Sequence, residues 1–365
     1  MKTFRGVLAG TTLIAACGGD SDDGAGPPPG PPPATTQFVE PLAGTLNQTF
    51  YYLNYVDELP GAGLRDYTCG PKTYDGHAGT DITLANFAVM DSGVAVRAAA
   101  AGMVLNTHDG EFDRQKSWMA GAVANSVAIR HPDGAVSYYL HLKKNSVAVG
   151  IGSLVQAGDL LGYVGSSGFS DIPHLHFEVR DSTGAVIDPW AGSCGASESR
   201  WSPQLPYQNA FSLSDAGLTK ASLTLDLVKD PPAPTSVFTT ADPRVTMWVQ
   251  LLNAPAGTAL EFRLYRPDDS LYFSFQSTLQ RFYGISWWWA WHAIPGYLTP
   301  GRWRMQYLNN GVMLAERAFD VVDAPLVIRA TPGVRAGTGG GFAGADRAWW
   351  SDQSSKLLGP LFGGR

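Results

Sequence analysis

The segment Ile172–Arg180, IPHLHFEVR, places two histidines two residues apart in a stretch that otherwise alternates like a β-strand. In a strand, residues i and i+2 point to the same face of the sheet. His174 and His176 are therefore expected to project together. Leu175 and Phe177 face the opposite side, which we predict to be a core. The pattern predicts a polar site built on one face of a sheet.

Other polar residues along the chain could meet this pair. His77 and Asp81 lie four residues apart in DGHAGTDI, and His141 lies in YYLHL. A zinc site with an open position needs about three protein ligands plus a water. His77, Asp81 and one of the paired histidines supply that set. The remaining histidines could transfer protons, because imidazole titrates near pH ~6.5. His131 precedes a Pro-Asp-Gly sequence and is predicted to be a turn residue.

The elements that must position these residues are predicted to be short strands. Glycine (42) and proline (25) are frequent and charged residues make up only 16% of the chain, which favours strands and turns over long helices. The clearest pair is a strand over 126–130, a Pro-Asp-Gly turn and a strand over 135–142. We therefore predict an all-β protein. A net charge of -6 argues against nucleic acid as the main partner.

A chain of 365 residues suggests two domains. We predict a first domain over 38–200, a second all-β domain over 219–325, and a Gly-rich tail over 326–365. Regularly spaced short strands in the second domain favour a β-sandwich, which could be immunoglobulin-like. Its run WWWAWH (Trp287–His292) either alternates between core and rim or presents aromatic faces to a sugar ring.

Three motifs in order carry a resemblance to a known family. HAGTD, YLHL and HLH resemble the HxxxD, central histidine and HxH motifs of the lysostaphin/LytM-type zinc endopeptidases, the M23 peptidases. The glycine-rich hairpins between the motifs are similar as well, and the resemblance covers about residues 70–190. It implies an antiparallel β-sheet peptidase domain.

The resemblance also implies roles for individual residues. His77, Asp81 and His176 would bind Zn²⁺, since they match the ligand positions of HxxxD and HxH. His141 and His174 would flank the metal as general base or oxyanion stabiliser.

The family hydrolyses peptide bonds in bacterial peptidoglycan or in glycine-rich peptides. The expected function is therefore a zinc-dependent endopeptidase that cleaves peptidoglycan crosslinks or bridges through a metal-activated water. Tyr139, which is expected on the same strand face as His141, would support this central histidine. The alternative is a non-catalytic activator of cell-wall amidases, because some relatives have lost ligands, although the ligand set here is complete. A third possibility is a wall-binding adaptor whose second domain grips glycan.

The N-terminal residues resemble a bacterial lipoprotein signal. A basic start is followed by a modest apolar stretch and then IAAC, ending at Cys17. The resemblance implies a signal over 1–17, lipidation of Cys17 and a Pro/Gly-rich tether over 18–37. The expected location is the periplasm, with a lipid anchor in the membrane and Gly18 favouring the outer over the inner membrane. The alternative is an ordinary signal peptide with a chance cysteine.

Two further cysteines, Cys69 and Cys194, bracket the segment that contains most of the histidines. An exported protein meets an oxidising compartment, which favours a disulfide between them. The alternative is a pair of buried free thiols. The sequence gives no indication of the oligomeric state.

Overall fold

The computed structural model describes residues 34–324 and the backbone of 340–345. The predicted signal with Cys17, residues 18–33 of the predicted tether and most of the predicted tail lie outside the described residues. No helix in the described part of the chain is long and apolar enough to cross a membrane.

The strands that follow Ala34 build a first region around one antiparallel sheet. Its elements are β1 (Phe50–Asn54), β2 (Gly79–Leu84), α1 (Phe87–Asp91), β3 (Ala95–Arg97), β4 (Gly102–His108), β5 (Ser126–Arg130), β6 (Val136–Leu140), β7 (Leu154–Val155), β8 (Leu160–Tyr163) and β9 (His174–Arg180). The seven-stranded sheet has the order β1-β2-β9-β6-β5-β4-β7, and β3 pairs with β8 beside it. The two motif-bearing strands β2 and β9 are therefore hydrogen-bonded neighbours near the middle of the sheet.

Turn chemistry and alternation explain the central hairpin and the core face of this sheet. Between β5 and β6, Gly134 adopts a φ of 85° and the Asp133 carboxylate accepts a hydrogen bond from the Ala135 amide. On β9, Leu175 and Phe177 are fully buried in the core of the first region. The opposite face of β9 carries the histidines, as the alternation predicted.

The chain continues into a second region made of two sheets. Its elements are β10 (Ser212–Thr219), α2 (Leu225–Lys229), β11 (Val237–Thr239), β12 (Arg244–Ala254), β13 (Ala259–Tyr265), β14 (Leu271–Thr278), β15 (Tyr283–Ala293), β16 (Gly301–Asn309), β17 (Val312–Val322) and β18 (Gly340–Ala345). The sheets have the orders β10-β12-β15-β18 and β11-β17-β16-β13-β14. Buried side chains from both sheets form one apolar cluster. The predicted all-β class is confirmed, whereas an immunoglobulin-like topology stays a prediction.

Two strands of the second region lie outside the predicted range of 219–325. β10 begins at Ser212 and pairs with β12. β18 belongs to the predicted Gly-rich tail and pairs with β15. The division of the chain into domains stays a prediction.

The tryptophan run forms part of β15. Trp287, Trp288 and Trp289 are buried, whereas Trp291 and His292 are half-buried. Trp288 packs into the cluster between the two sheets of the second region. Trp287 and Trp289 pack into a different cluster on the other face of β15. This arrangement supports the core alternative of the sequence analysis, because a sugar-stacking surface would need exposed ring faces.

Cys69 and Cys194 form a disulfide with their Cα atoms 5.2 Å apart. Cys69 precedes β2 and Cys194 follows β9. The bridge therefore closes the segment that contains both motif-bearing strands.

Candidate metal centre

Pairing between β2 and β9 brings the two outer motifs together. Asp81 lies directly opposite His176 in the antiparallel register, and His77 lies just before β2. Directly opposite residues in an antiparallel pair point to the same face of the sheet. All three side chains are buried, with His77 only 2% exposed.

Three ligand atoms of these residues converge on one point. The Asp81 Oδ1 atom lies 3.2 Å from His77 Nε2 and 3.0 Å from His176 Nδ1. The two imidazole nitrogens are 3.2 Å apart. Zinc bonds of about 2.0–2.1 Å in a tetrahedron imply ligand separations of about 3.3 Å. The spacing and the nitrogen and oxygen donors therefore fit a zinc ion.

Outer partners determine which nitrogen of each imidazole faces the centre. His77 Nδ1 lies 2.6 Å from the carbonyl oxygen of Tyr55, which can only accept, so this nitrogen is the donor and Nε2 carries a lone pair. His176 Nε2 lies 3.2 Å from the Glu178 carboxylate, which leaves Nδ1 facing inward. Two lone pairs and a carboxylate oxygen thus point at each other. Such a group of acceptors requires a cation or a proton between its members.

The pKa values reflect the same convergence. Burial raises the pKa of Asp81, but His77, His174 and His176 outweigh it and hold this pKa well below its usual range. Burial opposes a charge on His176, but hydrogen bonds to Asp81 and Glu178 raise its pKa to about 9. The raised pKa of His176 reflects how strongly the surrounding carboxylates favour a positive charge at this centre.

The two predicted catalytic histidines lie beside the ligand group. His174 Nε2 is 3.6 Å from Asp81 Oδ1, and the rings of His174 and His141 have centroids 4.5 Å apart. His174 Nδ1 lies 2.9 Å from the carbonyl oxygen of Ile172, and His141 Nδ1 lies 2.7 Å from that of Ser167. Because each carbonyl accepts from Nδ1–H, Nε2 is the nitrogen that carries the lone pair when either ring is neutral. Burial and the neighbouring histidines hold the pKa of His141 well below its usual value, which keeps this ring neutral.

The expectation that Tyr139 supports His141 from the same strand face is wrong. Tyr139 lies opposite Phe177, on the core face of the sheet, and its hydroxyl accepts a hydrogen bond from the Ala99 amide. His141 follows the last residue of β6 and has a φ of 66°, in the left-handed region. This turn breaks the alternation and directs the imidazole to the opposite face from Tyr139.

Three positions that support the ligands were missed by the sequence analysis. Glu178 continues the i, i+2 pattern of His174 and His176, so the alternation itself could have identified it. The Asn54 amide donates to Asp81 Oδ2 over 2.8 Å, and only the pairing of β1 with β2 shows this. A Cβ atom at Gly79 would lie 2.7 Å from His176 Nε2, so a larger residue would displace the ring.

His131, predicted to be a turn residue, is buried. Its two ring nitrogens lie 2.8 Å from the Ala101 carbonyl oxygen and 2.8 Å from Ser137 Oγ. Its imidazole is thus a satisfied structural group at the start of the β5–β6 turn.

One segment of the chain is similar to known proteins. Residues 75–189 match the model of peptidase family M23. DD-carboxypeptidase/endopeptidase Mpg of Neisseria meningitidis is 40% identical over 97 residues, which are 27% of this chain and 19% of that protein. Glycyl-glycine endopeptidase ALE-1 of Staphylococcus capitis is 33% identical over 142 residues, which are 39% of this chain and 33% of that protein. The chain thus spans a third or less of the length of these relatives.

Among solved structures, the catalytic domain of the antimicrobial peptidase lysostaphin from Staphylococcus simulans is 24% identical with a TM-score of 0.26. That alignment covers 39% of this chain and 90% of that domain. The family match includes the three candidate ligands and the two flanking histidines. Residues 75–189 of this chain are thus similar to peptidase family M23.

Proposed function

We propose that this protein is a zinc-dependent endopeptidase that hydrolyses peptide bonds of bacterial peptidoglycan. The observation that carries the proposal is the convergence of His77 Nε2, Asp81 Oδ1 and His176 Nδ1 within hydrogen-bond distance of one another. The Tyr55 carbonyl and the Glu178 carboxylate occupy the outer nitrogens of the two imidazoles, so their inner nitrogens face the Asp81 oxygen. The complete ligand set favours an enzyme over a non-catalytic activator of amidases.

The chain holds the ligands in place through buried partners. The Tyr55 carbonyl, the Asn54 amide and the Glu178 carboxylate each bond one ligand on the side away from the centre. Such outer partners fix ring orientation and tautomer and raise ligand basicity. A zinc ion bound there would lower the pKa of its water towards ~7 and polarise the scissile carbonyl.

His141 and His174 supply proton transfer and hydrogen bonding beside the metal. The Nε2 atom of one ring accepts a proton from the attacking water, and the proton then passes to the leaving amine. The protonated or hydrogen-bonded partner ring stabilises the developing oxyanion. Because the pKa of His141 is held below its usual value, this ring is neutral when substrate arrives, and its Nε2 atom carries a lone pair.

The substrate proposal rests on the relatives rather than on a feature of this chain. Proteins named as a DD-carboxypeptidase/endopeptidase, lysostaphin and a glycyl-glycine endopeptidase are each similar to part of this chain. We accordingly propose peptidoglycan crosslinks or bridges as the bonds cleaved. Export to the periplasm, with a lipid anchor at Cys17, is part of the same proposal.

The test measures bound zinc and cleavage of purified sacculi by the mature protein, with products identified by mass spectrometry. The wild type is expected to bind one zinc and to lower the share of crosslinked muropeptides recovered after the glycan strands are digested. Asp81→Ala and His176→Ala are expected to lose zinc and cleavage together, since each removes a ligand. His141→Ala is expected to keep zinc and lose turnover.

A wild-type protein that binds zinc stoichiometrically and leaves sacculi intact would contradict the endopeptidase proposal. In that case, stimulation of a purified cell-wall amidase by the same sample would favour the activator. Loss of zinc in the His141 variant would contradict its assignment as a proton carrier.

A further inference from the structure

A short loop, residues 167–173, holds both predicted catalytic histidines through its backbone. The Ser167 carbonyl accepts from His141 Nδ1 over 2.7 Å. The Ile172 carbonyl accepts from His174 Nδ1 over 2.9 Å. The tautomer and direction of both rings therefore depend on where this loop lies.

A buried ion pair joins the second region to this loop. Lys229, the last residue of α2, places its Nζ atom 2.7 Å from Asp171 Oδ2 and 2.8 Å from the Lys116 carbonyl oxygen. The Lys229 and Asp171 side chains are only 4% and 3% exposed. The ammonium also lies 5.7 Å from the centre of the Trp287 ring.

Apolar packing at the next residue strengthens the contact. Ile172 is 2% exposed and belongs to a cluster that combines side chains of both regions. From the second region, this cluster contains Leu223, Val228, Trp248, Leu252, Ile285, Trp287 and Trp289. The residue whose carbonyl holds His174 is thus packed against the second region.

We propose that Lys229 is a positioning residue for His141 and His174, and that the second region is in this way part of the catalytic centre. The inference rests on the proposed function for its catalytic consequence. The Lys229 ammonium holds the Asp171 carboxylate, and this contact holds the loop in place. The Ser167 and Ile172 carbonyls of the loop then orient His141 and His174 by accepting from their Nδ1–H groups. Neither ligation of the metal nor contact with substrate is assigned to Lys229.

A buried ion pair of this kind has a predictable cost when one partner is removed. Replacing Lys229 alone would leave the Asp171 carboxylate buried without its cation, which is strongly destabilising. Replacing both partners by neutral residues removes the uncompensated charge and retains the volume. The double variant therefore separates a folding defect from a loss of positioning.

The experiment uses the full mature chain with Lys229→Met, Lys229→Met combined with Asp171→Asn, and Lys220→Met as the matched control. Lys220 pairs with Asp242 at 2.8 Å, and both residues belong to the second region. Three quantities are measured for each folded variant: zinc affinity, kcat and KM on a defined crosslinked muropeptide, and the ¹⁵N resonances of the histidine side chains.

Both Lys229 variants are expected to lower kcat by about 10–100-fold, with little change in KM and a much smaller change in zinc affinity. Their His141 and His174 ¹⁵N resonances are expected to move away from the wild-type positions. The Lys220→Met control is expected to match the wild type in all three quantities.

Wild-type kcat together with wild-type histidine resonances in the double variant would overturn the inference. If the wild type itself cleaves no muropeptide, the proposed function fails. The histidine resonances of the metal-free variants still decide whether Lys229 positions the rings: displaced resonances support the inference and unchanged resonances overturn it.

Discussion

Two strands of the molecule carry the same local pair, a glutamate followed two residues later by an arginine. On β13 of the second region, Arg263 donates to both carboxylate oxygens of Glu261 over 2.6 and 2.8 Å. On β9 of the first region, Arg180 donates through Nε to Oε1 of Glu178, and Oε2 lies 3.2 Å from His176 Nε2. The same side chains thus build a closed ion pair in one region and a support for a metal ligand in the other.

The residue two positions earlier differs between the two strands. β13 has Ala259 at that position, whereas β9 has His176. The glutamate of β9 shares its carboxylate between a guanidinium and an imidazole, and the imidazole must then present Nδ1 to the centre. The Glu–Arg pair of β13 has an alanine as its neighbour on the same face, whereas the Glu–Arg pair of β9 has a histidine and so contributes to the candidate metal centre.

The largest expected effect on either region is the loss of the disulfide. Replacing Cys69 and Cys194 by alanine is expected to lower the free energy of unfolding by about 4–5 kcal/mol, because the bridge closes a long loop. The range 219–325 contains no cysteine. Calorimetry in the presence and absence of a reductant measures the effect. A wild type that is insensitive to reductant would contradict it.

The next largest effect is expected from replacing the carboxylate of a candidate zinc ligand, compared with a surface carboxylate of the second region. Asp81→Asn is expected to lower cleavage of sacculi by about 10³-fold, or about 4 kcal/mol, because the site loses its one negative ligand. Asp320→Asn is the control. Asp320 lies on β17, where its exposed carboxylate pairs with Arg302 of β16, and its replacement is expected to leave activity unchanged. Equal activity of the two variants would contradict the ligand assignment.

The paired glutamates allow the comparison itself to be tested. Glu178→Gln is expected to lower zinc affinity or activity by about 10–100-fold, because the amide holds His176 Nε2–H less strongly. Glu261→Gln removes the same charge from the closed pair on β13 and is expected to change neither. Zinc titration and a cleavage assay on both variants measure the difference, and equal losses would mean that Glu178 only stabilises the fold.

The smallest effect concerns two buried tyrosines. Tyr139→Phe is expected to lower the free energy of unfolding by about 1 kcal/mol, because the Ala99 amide loses its acceptor. Tyr307 of the second region has a buried hydroxyl that lacks a hydrogen-bond partner within the described residues. Tyr307→Phe is therefore expected to cost nothing in urea unfolding. A drop in activity of folded Tyr139→Phe protein would restore a role for Tyr139 in supporting His141.

Local patterns predicted the strands and the direction of most side chains in the first region. The period of two placed Leu175 and Phe177 in the core and the paired histidines on the opposite face. Turn residues marked the β5–β6 hairpin, because Pro-Asp-Gly allows only a few backbone conformations. The period of two failed at His141. This residue has a positive φ, which reverses the side-chain direction that alternation implies.

What the sequence by itself determined is the chemistry: the residue types, their order, and the faces on which an extended strand must present them. What only the tertiary structure decided is which groups meet. The register of β2 against β9 sets Asp81 opposite His176, and the pairing of β1 brings Asn54 to Asp81. The packing of α2 against the loop at Asp171 brings Lys229 to the Asp171 carboxylate. These contacts join residues far apart in the chain, and their geometry depends on strand register and core packing, which no local pattern contains.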